Sequence, residues 1–358
     1  MPLQVSFGVI RQPALSPSID QALILFTMLY MSAFLVARAA AKRFLAETTY
    51  PCSDATSQCS LLSGIRRPVL AALMAVSVSA RPMMSQAADI RVVRDIAYTA
   101  ESDARANKHT LDLYLPNTTM PAPVIVSLYG GGLMGGDKSE QQYVGVRFAS
   151  SGIATVVINY RLTPAVSHPS HIEDVAAAFA WVKQHIAEYG GNPNQVFVIG
   201  HSAGGYLAAL LATDERYLGA HHLSLSDIRG AVPVSAFYWV ERQEVAPDRD
   251  KRVWGTDPSA WADASPAHHV SANVPPMLIV YSDGDDAWRR KQNEEIALVL
   301  KGAGNTRVEL VMIAGRDHMS VWERLNDQGD EVSRRIVAFV RQVLVRRRSN
   351  HLSGRTHG

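Results

Sequence analysis

Cysteine is almost missing from this chain. Of its 358 residues only Cys52 and Cys59 are cysteine, both near the start. Two thiols cannot by themselves complete a zinc site, and the sequence leaves open whether they pair. Strong charge of one sign is missing as well. The net charge is +2, so no field steers the chain toward nucleic acid. The basic run VRRRSNHLSGRTHG at the end reads as a solvated tail. The apolar stretch ALILFTMLYMSAFLVA, residues 22–37, is short of the roughly 20 residues that a membrane span needs. Internal repeats and low-complexity blocks are absent, which excludes repeat architectures. What is there, 47% hydrophobic and 19% charged residues, is globular composition with enough length for one large α/β domain plus extra sequence.

Residues 1–88 differ from the rest. Arg38, Lys42 and Arg43 follow the stretch 22–37, a candidate membrane segment. Residues 62–87 have the pattern of a secretory signal: Arg66 and Arg67, an apolar core from Val69 to Ala80, and small residues at Ser85 and Ala87. Two arrangements fit. Either the given start lies upstream of the true one, or an anchor at 22–37 precedes a second segment. Both make the folded domain an exported one, periplasmic or secreted, with N-terminal membrane association in the second case.

From residue 90 the pattern is regular. RVVRDIAYTA and HTLDLYLP alternate like an opening antiparallel pair. APVIVSLYG is a continuous apolar run, as in a strand covered on both faces. YVGVRFASSG reads as a helix, IATVVINYRL as a strand, and HIEDVAAAFAWVKQHIAEYG as a helix closed by Gly190. VFVIG is a strand entering the helix SAGGYLAALLAT. RGAVPVSAF and PPMLIVYS are strands, AWRRKQNEEIALVLKGAG a helix, TRVELVMI a strand, and EVSRRIVAFVRQVLVRRR the last helix. Such alternation predicts a mostly parallel central sheet flanked by helices over residues 89–345, with a disordered basic tail at 346–358. The stretch from Trp239 to Val270 lacks a strand pattern and is expected to be a short insert, or cap, over the C-terminal edge of the sheet, where ligands of such sheets bind.

The most specific local signal is Gly200-His201-Ser202-Ala203-Gly204, a G-x-S-x-G between a strand and a helix. A nucleophile on such a turn stands clear of the sheet, and glycines leave room where strand and helix crowd. A serine needs a base, and the base an orienting acid, in the chain order Ser, Asp or Glu, His. His318 alone among twelve histidines follows a late strand and opens a helix. Asp283, Asp285 and Asp286 end the preceding strand. Asp285 is placed first by its distance past the strand, then Asp286, which would also make an N-cap, then Asp283. Asp317 reads as a capping residue and His201 as one that points away.

SLYGGGLMGGDK, residues 127–138, puts five glycines after a strand. G-x-x-x-x-G-K-[ST] does not match, and a loose G-x-G-x-x-G at Gly130, Gly132 and Gly135 follows the third strand, not the first. Acyl transfer passes through an oxyanion that prepared N–H donors stabilise. The reading is therefore an oxyanion hole with Gly131, Gly132 and Ala203 as donors, and no metal or cofactor.

Together these residues resemble the α/β-hydrolase family, and more narrowly its hormone-sensitive-lipase-like and feruloyl-esterase/deacetylase-like carboxylesterases. YGGGLMGGDK is similar to their H-G-G-G-W…G-D-K loop. INYRL, IEDVAAAFAWV, YGGNPNQVFVIGHSAGG and ASPAHHV…PPMLIV match in order, from residue 92 to about residue 343. The resemblance implies the α/β-hydrolase fold, ester hydrolysis, Ser202 as nucleophile, His318 as base, Asp285 as acid, and Gly131, Gly132 and Ala203 as oxyanion donors. Two positions depart: Tyr129 stands where the family usually has His, and Ser282 replaces a glycine before the acid. A short cap points to small or aromatic carboxylic esters as substrates. Three further readings are an amide hydrolase of arylformamidase or aminopeptidase type, an S-acyl or carbamate hydrolase, and a non-catalytic binding module. N-terminal sequencing of the native protein tests the export reading: a mature terminus near Ala88 is expected, and a retained residue 22 would overturn cleavage.

Overall fold

A computed structural model of the chain describes residues 90–99, 107–243 and 247–353. The stretch 22–37, the signal-like segment 62–87 and both cysteines lie outside the described residues. Among the described residues no helix is long and apolar enough to cross a membrane.

The described strands are β1 (Ile90–Ala97), β2 (Thr110–Pro116), β3 (Ala122–Leu128), β4 (Ala154–Ile158), β5 (Gly191–His201), β6 (Ala231–Val234), β7 (Met277–Gly284) and β8 (Val308–Asp317). They form one sheet in the order β1-β2-β4-β3-β5-β6-β7-β8. β2 runs antiparallel to both of its neighbours, and the pairs from β4 to β8 are all parallel. The opening pair expected from the alternation is present, with a register shift between Val93 and Ile96.

The helices are α1 (Gln142–Ala149), α2 (Ser170–His185), α3 (Ala203–Thr213), α4 (Glu215–Gly219), α5 (Pro247–Trp254), α6 (Pro258–Asp263), α7 (Ala287–Gly302), α8 (Ser320–Glu323) and α9 (Glu331–Ser353). They cover both faces of the sheet, which explains the apolar runs. In β3, Val124, Val126 and Leu128 enter one core while Ile125 enters the other; in β5, Val196 and Val198 oppose Phe197 and Ile199. Phe179 of α2 and Leu207 of α3 fill the first core, and Phe148 of α1 and Ile336 of α9 fill the second. Every second residue of a central strand thus loses its water on each side.

Two boundaries differ from expectation. β6 stops at Val234 because Ser235 takes a positive φ of 46° and leaves the ladder. α9 continues through residue 346 to Ser353, into the stretch expected to be a disordered tail. No helix breaker occurs there before Gly354, and the arginines are good helix formers. The insert from Trp239 to Val270 holds α5, α6 and single 3₁₀ turns, and no strand among its described residues.

The glycine loop after β3 is fastened at its far end by Lys138. Its ammonium group is 4% exposed and donates at 2.6 Å to Asp95 and at 2.6 Å to Asp112, tying the loop to β1 and β2. Asp112 is 1% exposed, and its other cationic partner, Arg94 at 3.4 Å, lies on the half-exposed side, so Lys138 is its buried counter-charge. Asn159, just after β4, accepts the Lys138 backbone N–H at 2.8 Å and donates to Asp137 at 3.0 Å. Removing one member of such a pair leaves a buried charge uncompensated. Lys138→Met is expected to lower the unfolding free energy by about 3 kcal/mol in urea denaturation. A loss below about 1 kcal/mol, the range of an exposed ion pair, would contradict this account.

Candidate active site

The C-terminal ends of β3, β5, β6, β7 and β8 each deliver a residue to one edge. Tyr129 follows β3, Ser202 follows β5, Ser235 follows β6, Asp285 follows β7 and His318 follows β8. The parallel register aligns these ends, pairing Leu128 with Gly200 and His201 with Val234.

Ser202 has φ 54° and ψ −117°, a region that costs about 1–3 kcal/mol for a residue with a side chain. Its backbone is held there by its N–H, which donates to the Val234 carbonyl at 2.9 Å. A Cβ on Gly200 would run into the backbone of Gly204, and one on Gly204 into the carbonyls of Leu128 and Tyr129. Only glycine fits at either position, as the motif predicts.

Ser202 Oγ donates to His318 Nε2 at 2.9 Å, and His318 Nδ1 donates to Asp285 Oδ1 at 2.6 Å. Of the three candidate acids, Asp285 is the one beside His318. Its other oxygen accepts from Ser235 Oγ at 2.5 Å and from the Ser282 N–H at 2.9 Å. Burial by itself would raise the Asp285 pKa, but these donors, His318 first, bring it down to about 2. The carboxylate is therefore ionised at neutral pH. Asp286 is the N-cap position of α7, with its carbonyl accepting from Arg289 and Arg290. Asp283 turns outward and accepts the Gly315 N–H at 2.9 Å. Asp317 accepts the N–H groups of Met319 and Ser320, the capping duty expected of it.

The loop Gly130 to Gly136 lies against this line, because β3 and β5 are neighbours. A Cβ on Gly130 would stand 3.3 Å from the Cβ of Ser202. Gly131 and Gly132 have φ of 109° and 64°, open to glycine and strained for other residues. The Gly131 carbonyl is used up by the N–H groups of Met134 and Gly135, both at 3.1 Å. The N–H groups of Gly131, Gly132 and Ala203 donate to no acceptor among the described residues. The glycine loop and the first turn of α3 thus meet beside Ser202, with three N–H groups unpaired among the described residues.

Tyr129 stands at this edge by its backbone, while its side chain is 1% exposed and packed against Tyr160. Its hydroxyl donates to the Tyr160 carbonyl at 3.1 Å, and the Tyr160 hydroxyl donates to the Tyr129 carbonyl at 2.8 Å. The rings stack 4.4 Å apart. This reciprocal pair pins the start of the glycine loop to the end of β4.

Three partners escaped the sequence reading. Ser235 sits where β6 ends, and its neighbourhood to β7 is a consequence of strand order. Arg289 is 8% exposed, donates to the Ser235 carbonyl at 2.9 Å, and brings its Nε to 3.9 Å from Asp285. Burial lowers its pKa to about 10. His201, read as pointing away, donates from Nε2 to the His318 carbonyl at 2.6 Å and stacks on Trp322. Burial lowers its pKa to about 3, so it stays neutral. His268 and His269 bind Glu241 and the Asp263 carbonyl instead. No group of three or more His, Cys, Asp or Glu side chains among the described residues could hold a metal ion.

Tyr129→Phe removes a hydroxyl that donates to the Tyr160 carbonyl and accepts the Tyr160 N–H at 3.5 Å, and is expected to cost about 1–2 kcal/mol in thermal or urea unfolding, with turnover reduced less than about threefold. Unchanged stability with a hundredfold fall in turnover, about 3 kcal/mol of barrier, would instead put the hydroxyl at the reacting group.

The BD-FAE family matches residues 111–300. LipM of Mycobacterium tuberculosis, a probable carboxylic ester hydrolase, is 34% identical over a match covering 55% of this chain and 50% of that protein. Esterase LipC of the same organism is 30% identical, covering 56% and 53%. The matched region thus spans about half the length of these relatives. Among solved structures, esterase B of Lactobacillus rhamnosis superposes with a TM-score of 0.64 at 18% identity, over 80% of this chain and 98% of that one. An esterase of Thermogutta terrifontis, solved with propionate bound, gives a TM-score of 0.55 at 27% identity, over 74% and 96%. The eight-stranded sheet and these superpositions make the fold that of an α/β-hydrolase. Matched over more than half of its length, the chain belongs to the BD-FAE family.

Proposed function

We propose that this chain is a serine carboxylesterase that hydrolyses small or aromatic carboxylic esters. The observation that carries the reading is the line of hydrogen bonds from Ser202 through His318 to Asp285, set beside three unused N–H groups. Ester hydrolases among its relatives support the same class.

In the proposed reaction His318 Nε2 takes the Ser202 proton as Oγ attacks the ester carbonyl. The carbonyl oxygen becomes an oxyanion and accepts from Gly131, Gly132 and Ala203. His318 returns the proton to the departing alcohol, leaving an acyl-serine. Water then gives its proton to His318 and attacks the acyl carbon, and the carboxylic acid and free Ser202 are released. Asp285 holds the histidine in the tautomer with hydrogen on Nδ1 and offsets its positive charge in both steps. No step calls for a metal or an organic cofactor. The short insert between Trp239 and Val270 supports a shallow site, suited to small acyl groups or to flat aromatic ones.

Hydrolysis of a chain-length series of p-nitrophenyl esters tests this. Asp285→Asn is expected to lower kcat about ten-thousandfold and Ser202→Ala about a millionfold. Asp286→Asn should stay within about threefold of the wild type, since it touches no reacting group. Undiminished turnover in Ser202→Ala would sink the mechanism. Turnover of anilides and formamides with none of esters would move the reading to an amidase.

A further inference from the structure

We propose that Arg249 forms an anion subsite beside the glycine loop, so that the preferred esters of this chain carry a carboxylate. This rests on the ester-hydrolase reading above and narrows its substrate class.

Arg249 lies in α5, within the insert. Its Nε and Nη2 donate to Asp250 Oδ1 at 2.9 and 2.6 Å, and Nη2 also donates to Gln243 Oε1 at 3.0 Å. The guanidinium carbon lies 5.7 Å from the centre of the Trp254 ring. A long side chain that normally spreads over many rotamers is thereby held in one plane. Its entropy of ordering is spent before any ligand arrives.

The third nitrogen is left over. Arg249 Nη1 donates to no acceptor among the described residues. It faces the loop: a Cβ on Gly132 would stand 3.5 Å from Nη1 and 3.7 Å from the Arg249 Cδ. Gly132 is one of the proposed oxyanion donors, so a fixed cation with two spare N–H groups borders the place where the ester carbonyl would lie. The side chain keeps 19% exposure, enough for a ligand to reach it.

A purely structural role accounts for less of this. Pinning the insert needs only Nε and Nη2, which Asp250 and Gln243 already occupy. Asp250 is buried and neutralises the guanidinium from the inner side. Nη1 presents donors alone: a hydrocarbon acyl or alcohol group offers them no acceptor, and a neutral oxygen offers only a weaker one. A carboxylate gives a charge-assisted bond about twice as strong as a neutral one.

Two ester pairs that differ in one carboxylate test the proposal. Mono-p-nitrophenyl glutarate is compared with p-nitrophenyl pentanoate for the acyl half, and p-acetoxybenzoate with p-tolyl acetate for the alcohol half. The readout is the ratio of kcat/KM, charged over neutral, in the wild type, Arg249→Gln and Arg249→Lys. Each ratio comes from one preparation, so any loss of folded protein through the Asp250 charge left without its partner cancels. At least one ratio is expected to fall about tenfold in Arg249→Gln and by less in Arg249→Lys, which keeps the charge without the planar fork. Raising salt from about 50 to about 500 mM should lower that ratio in the wild type and leave it unchanged in Arg249→Gln. Both ratios equal within about twofold in wild type and Arg249→Gln, with the neutral esters hydrolysed, overturns this proposal alone. A wild type that hydrolyses none of the four esters overturns the ester-hydrolase reading, and this proposal with it.

Discussion

The structure depends on a place where three stretches of backbone touch with no side chain between them. α3 leaves β5 across the end of β3, so close that Gly204 meets the carbonyls of Leu128 and Tyr129 and Gly200 meets the backbone of Gly204. That closeness has two consequences. It forces the tight turn that leaves Ser202 at a positive φ, with its hydroxyl clear of the sheet. It also brings the first N–H of α3, that of Ala203, beside the loop leaving β3. A single methyl group at either glycine would push the helix away and part the two sets of donors. The strain at Ser202 is offset by the bond from its N–H to β6 and by the packing of α3, whose residues are all buried.

Around this point the buried carboxylates Asp285 and Asp112 take their partners from neighbouring strands and the loops that follow them. Asp285 keeps its charge because β6 supplies Ser235, β7 supplies the Ser282 N–H, and the loop after β8 supplies His318. Two of these three donors do not move with the histidine, so the acid is positioned independently of it. Ser282, which departs from the family pattern, gives its N–H to Asp285, the third residue beyond it. Lys138 does the same service for the glycine loop, through carboxylates on β1 and β2. His201 completes the set by holding the backbone carbonyl of His318, so that the loop bearing the imidazole is tied to the strand bearing the serine.

Much of this was legible in the chain. The alternation of apolar runs gave the strand–helix order, because a strand covered on both faces can hardly read otherwise. Ser202 was legible because a G-x-S-x-G needs a strand before it and a helix after it, and both patterns are strong. Distance past the strand ranks Asp285 ahead of Asp286 and Asp283, and only the packed sheet shows that it is the one bonded to His318. Tyr129 was not readable: a tyrosine in place of histidine fits a buried clamp or a substrate contact equally, and its partner Tyr160 is 31 residues away. Ser235 and Arg289 were invisible for the same reason. Their importance lies in lying beside Asp285, and nothing local in VPVSAF or DDAWRR marks that. α9 runs past its expected end because a basic run that reads as a frayed tail is also rich in arginine, which propagates a helix.

The sequence by itself determined the elements, the glycines and the residue types, since periodicity, turn chemistry and steric need act within a few residues of chain. Which of these meet was decided by the tertiary structure. β3 and β5 are separated in sequence by a strand and two helices, yet they pair, and their register brings Gly130 beside Ser202. Arg249 lies farther along still and reaches the same loop. Strand order is a property of the whole packed sheet, where long-range burial outweighs any local preference, and no short stretch carries it.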